Sequence, residues 1–218
     1  MTGVQTCALP IYWGDCLHDL GQRQAGLAKV DEAVRLGEAL LAKEPKLEQA
    51  RTSLRIAYAA RGKAKINTNR PLEASQDFDR AIELSLESER LPFRWLRLPM
   101  LPLAHRYTFA AEEARALAVH GSPSAAQWFL LAEVWVHCAP NAWRETKLSD
   151  AERLAFIQES CDQTLACLAK ARAAGYFDDP ARASKLRSDT AFLPVYLRPE
   201  FQRLCAEIEA DARNRSKK

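Results

Sequence analysis

The sequence predicts an all-α protein made of antiparallel helix pairs. Three observations carry this. Glycine is scarce, at 8 of 218 residues, which favours helix and argues against a Rossmann or β-rich fold. Apolar side chains recur at the 3.6-residue helical period, as in Val30, Ala33, Val34, Gly37, Leu40 and Leu41. A glycine is also followed twelve residues later by an alanine at two places, Gly21 to Ala33 and Gly62 to Ala74.

The fullest pattern runs from Tyr58 to Leu86. Gly62 comes four residues after Tyr58, and Ala74, Phe78 and Ala81 follow on the next helix. Two antiparallel helices approach closely only where small residues meet. Gly62 and Ala74 supply the small side chains, and Phe78 fills the space beside them. This arrangement resembles one tetratricopeptide (TPR) repeat. It departs from the repeat at Arg61, Lys65 and Leu86, which stand where leucine, tyrosine and proline are usual.

An upstream copy is placed on Leu17, Leu20, Gly21 and Ala33, closed by Pro45, with Gly37 where phenylalanine is expected. Its offset, Gly21 to Gly62, exceeds the usual repeat length of about 34 residues, which implies longer helices. The resemblance implies a short right-handed solenoid of stacked pairs with a C-terminal helical cap. It also implies a groove lined by the first helices, at His18, Gln22, Lys63 and Asn67. Lys63 and Asn67 alone suggest a clamp for a peptide carboxylate.

The elements follow in order. Residues 1–11 look like the translation of a sequencing adapter, which excludes them from the fold and places the natural start upstream of Tyr12. A helix is expected from Lys46 to about Ile66. It carries six basic and no acidic residues between Arg51 and Arg70. The acidic segment Glu73–Glu89 can balance that face, so a nucleic-acid surface is the weaker reading. Asn67 to Pro71 is a turn, and Pro71 opens the next helix. Prolines 92, 99 and 102 are expected to break or kink an apolar stretch.

A helix over 109–119 ends at Gly121, and Ser122 with Pro123 is expected to start the next. That helix spans 125–138, too short and polar to cross a membrane, with a loop at 139–148. Ser149 and Glu152 form a capping box for a helix with Leu154, Ile157, Cys161, Leu165 and Leu168 inward, ending at Gly175. Helix pairs are thus expected over 12–120, a last pair with caps over 121–210, and a polar tail at 211–218.

Leu168 to Pro180, Leu186 to Asp189, Phe192 to Pro194 and Arg198 to Leu204 resemble the closing segment of bacterial TPR regions. Those regions often follow a Hanks-type serine/threonine kinase or a WD40 region. The likeness covers about 124–210 and departs at Ala191, Val195 and Tyr196. Phe192, Leu193, Phe201 and Leu204 are expected to cap the last pair.

The sequence holds no kinase motif, Walker loop, His-Glu-x-x-His or Gly-x-Ser-x-Gly. His137 and Cys138 are adjacent and would diverge on a helix, so no metal or catalytic residue is expected, and no cofactor. Six cysteines without Cys-x-x-Cys spacing point to a reducing cytoplasm, and a net charge of +3 is too small to imply a nucleic-acid partner by itself. The expected function is a non-catalytic scaffold for a protein or peptide. The alternative is the docking tail of a serine/threonine kinase.

Overall fold

The computed structural model describes residues 10–215, except 13, 15, 16 and 18. Among these the protein is helical throughout, without a strand. The chain divides into two compact units, residues 1–104 and 105–218.

In the first unit, α1 spans Arg23–Lys43, α2 Glu48–Asn67 and α3 Pro71–Glu83. Two short helices follow, α4 over Leu91–Arg97 and α5 over Met100–Leu103. Pro99 separates them, as its ring and missing N–H predict, yet Leu98 beside it is fully buried. The described residues from 10 to 19 are helical as well. The core joins Ala33 and Val34 of α1, Leu54, Ala57 and Tyr58 of α2, and Ala74, Phe78 and Ala81 of α3. A Cβ on Gly62 would lie 3.0 Å from the Phe78 ring, so this glycine lets α2 and α3 close.

The upstream pair has a different register from the one expected. Gly21 has φ +76° with nothing within 4 Å of an added Cβ, and Leu20 is exposed. The packing glycine is Gly14, whose Cβ would come 2.5 Å from Val30. Gly14 and Val30 therefore correspond to Gly62 and Phe78, each sixteen residues apart. The same offset of 48 residues takes Gly26 to Ala74, Ala33 to Ala81 and the start of α1 at Arg23 to that of α3 at Pro71. It also takes Gly21 to Asn69, both with positive φ. Each sits in a left-handed turn closed five residues back, by Gln22 N–H to Leu17 O at 2.8 Å and by Arg70 N–H to Lys65 O at 2.9 Å. The Leu20-Gly21 dipeptide imitates the repeat's leucine-glycine, but here it terminates a helix. Pro45 lies exposed in the turn between α1 and α2.

The second unit contains α6 (Tyr107–His120), α7 (Ala125–Trp143), α8 (Asp150–Ala173), α9 (Pro180–Leu186) and α10 (Pro199–Arg215). Short 3-10 turns cover Tyr176–Asp178 and Thr190–Val195. The N-cap of α7 is Ser124, not Ser122. Ser124 forms a capping box with Gln127, whereas Ser122 has φ +43°. The expected loop at 139–148 begins later, because α7 continues through Pro140 to Trp143. Val136, Ala139 and Ala142 remain in the core, and the Asn141 amide donates to His137 O at 2.8 Å near the proline gap.

The capping box of Ser149 and Glu152 starts α8, as expected. Its buried face is Ser160, Cys161, Thr164, Cys167, Leu168 and Ala171, while Leu154 is exposed. Gly175, at φ +84°, ends it. Phe192 and Phe201 are fully buried, with ring centroids 6.1 Å apart. Leu193 points outward instead of covering the edge, since the turn at 190–195 spends its inward positions on Phe192 and Val195.

Candidate functional site

Two faces of α2 carry the side chains of interest. The first is a polar crease of about 520 Å³, lined from α1 by Glu38, from α2 by Tyr58, Arg61 and Lys65, and from α3 chiefly by Asp77, Arg80 and Glu83. Asp77 is its centre, with a side chain only 4% exposed. Arg61 grips it with Nε at 3.0 Å and Nη2 at 2.7 Å, and Lys65 Nζ lies 2.8 Å away. Arg61 also reaches Asp31 of α1 at 3.3 Å. Tyr58 donates to Glu38 at 2.5 Å, and burial followed by this bond pushes its hydroxyl pKa up to about 12. The guanidinium of Arg61 lies over the Tyr58 ring at 5.3 Å.

Arg61 and Lys65 are two of the three departures from the repeat pattern. Both reach the same carboxylate on the facing helix. The result is a buried ion network whose cations are satisfied from within the chain. Sequence inspection missed this role. The available signal was Asp77 directly before Phe78, at a position facing α2.

The second face is an exposed ridge. Thr52, Ile56, Lys63 and Asn67 are all exposed on α2, and their spacing puts them within one narrow arc. Five of the six basic residues between Arg51 and Arg70 form ion pairs: Arg51 with Glu48, Arg55 with Glu89, Arg61 and Lys65 with Asp77, and Arg70 with Glu73. Lys63 makes none among the described residues. The acidic partners thus neutralise most of the basic run, four of the five through residues beyond α2.

The remaining groove positions separate. Gln22 and Asn67 share a shallow recess at the start of α1, where Arg23 Nη1 donates to Asn67 O at 3.4 Å. Lys63 does not line that recess. His18 lies outside the described residues. In the corrected register Gln22 corresponds to Arg70 rather than to Lys63, and the counterpart of Asn67 is Asp19.

In the second unit, Cys138, Cys161, Cys167 and Cys205 are buried, and burial pushes the Cys138 thiol up to about 12. These are packing thiols rather than thiolates. No three His, Cys, Asp or Glu side chains among the described residues could hold a metal ion. No described helix is long and apolar enough to cross a membrane.

No family model, curated protein or solved structure matches the chain.

Proposed function

We propose that this chain is a non-catalytic interaction scaffold whose helix pairs form a TPR-like array. The supporting observation is the 48-residue correspondence in the first unit. A glycine on the leading helix meets a side chain sixteen residues on, across a left-handed turn, in both pairs. The sixteen-residue spacing is also that of the repeat pattern at Gly62 and Phe78. The excess over about 34 residues is about four helical turns, two for each of two antiparallel helices, which preserves the facing sides. The lengths agree: α1 and α2 have 21 and 20 residues, against 13 in α3.

The partner-facing surface in this reading is the ridge of Thr52, Ile56, Lys63 and Asn67. A lysine with no ion pair among the described residues, on the same arc of α2 as an exposed isoleucine, suits a peptide with a free carboxylate and an apolar side chain. The test is fluorescence anisotropy with an acidic peptide bearing a free C-terminal carboxylate and with its amidated form. Lys63→Ala should weaken binding of the free acid about tenfold, as for one lost charge-assisted hydrogen bond, and leave the amide unchanged. Equal affinity of native protein and variant ends the carboxylate reading.

The kinase-tail alternative rests on the resemblance of residues 124–210. Finding no Gly-rich loop and no His-Arg-Asp in the gene that encodes this chain would remove it.

A further inference from the structure

The two helices that flank α2 are near-copies. At an offset of 48 residues, α1 places Gly26, Val30 and Ala33 where α3 places Ala74, Phe78 and Ala81, and all six are buried. Both helices join α2 through short connections, residues 44–47 and 68–70. Short loops make both helices antiparallel neighbours of α2 but do not decide which takes which side. Helix arrays with similar faces therefore carry a reversed packing as a competitor.

Two buried positions on α3 break the likeness, Ser75 against Leu27 and one that is charged. Asp77 corresponds to Lys29, which is half-exposed on α1 and pairs with Glu32 at 3.0 Å. Asp77 lies between Arg61 and Lys65. If α1 occupied the α3 side of α2, Lys29 would meet those two cations, whose side chains are only 20% and 10% exposed. Three like charges would then meet where the Asp77 carboxylate now holds two of them.

We propose that Asp77 selects α3, and rejects α1, on the Arg61–Lys65 side of α2. The network is then a device for uniqueness of packing, independent of whether the ridge binds peptide. A buried ion pair often adds little stability relative to apolar replacements, so its value lies in excluding the alternative.

The test uses the full chain and hydrogen-exchange mass spectrometry. Lys29→Asp gives α1 the same selecting group as α3, at a half-exposed position. It should create a second mass envelope in peptides from α1 and α3, populated above about 10%, against a single envelope in the native chain and in Lys29→Ala. A single envelope with native protection in Lys29→Asp overturns the proposal, as does a second envelope already present in Lys29→Ala. The triple variant Arg61→Leu, Lys65→Leu, Asp77→Leu removes the charges while keeping bulk. It should stay folded but show two envelopes, and one envelope with native protection also overturns the proposal.

Discussion

At single positions, the closest packing is set by glycines whose absent Cβ is the contact. Phe78 is fully buried and its ring lies against Gly62. Phe78→Ala should cost about 3–5 kcal/mol in urea unfolding, the usual figure for a buried aromatic. Gly62→Ala gains about 1 kcal/mol of helix propensity but forces a methyl to 3.0 Å from a ring that cannot retreat. The net should be a loss of about 1–2 kcal/mol. Gly21→Ala meets no neighbour, so its cost should be the left-handed backbone alone, about 1 kcal/mol. A larger loss at Gly21 than at Gly62 would contradict the assigned register.

At the level of helices, the α2–α3 contact combines a dry side at Phe78 with a charged side at Asp77. Removing only the carboxylate leaves Arg61 and Lys65 facing each other, 20% and 10% exposed. Asp77→Ala should therefore cost about 3 kcal/mol or more, the range for breaking one partner of a buried pair. Arg80→Ala removes an exposed pair with Glu83 and should change stability by less than about 1 kcal/mol. Comparing their urea midpoints checks the contrast.

The same contact shows what was legible in the sequence. The apolar side was legible because its spacing lies within one helix and one turn. Arg61 and Lys65 registered only as deviations, since their partner is supplied by another helix and charge spacing along α2 says nothing about it. The misplaced upstream register has a similar origin. Leu-Gly suits both a helix interior against a neighbour and a helix end in a left-handed turn. Only the close approach of Gly14 to Val30 separates these uses. The extension of α7 past Pro140 was hidden as well, because a proline in a buried helix is tolerated only through tertiary contacts that local propensity cannot see. The ridge of α2 was half legible: Lys63 and Asn67 were marked, while Ile56 became notable once the fold left it in solvent.

Across the whole chain, the titratable groups in the cores set an alkaline limit on stability. Cys138 of α7 and Cys167 of α8 are buried, and burial raises their thiols from the ordinary 9.0 to about 12 and about 11. Tyr58 in the first unit is raised from 10.0 to about 12. A raised acid stays protonated in the folded state while the unfolded chain releases its proton. The unfolded state then binds fewer protons, so stability falls with rising pH, and the loss begins at the unfolded value. For the thiols the decline starts near pH 9 and continues to 11–12; for Tyr58 it starts about one unit higher. Stability in reductant should therefore be level with respect to these groups below pH 8 and fall between pH 9 and 10.5. The double variant Cys138→Val, Cys167→Val should lose much of that slope because valine fills a similar volume and does not titrate. Urea midpoints by circular dichroism from pH 8 to 10.5 measure both slopes. Identical declines in the native chain and the double variant would place the alkaline limit elsewhere than in these two thiols.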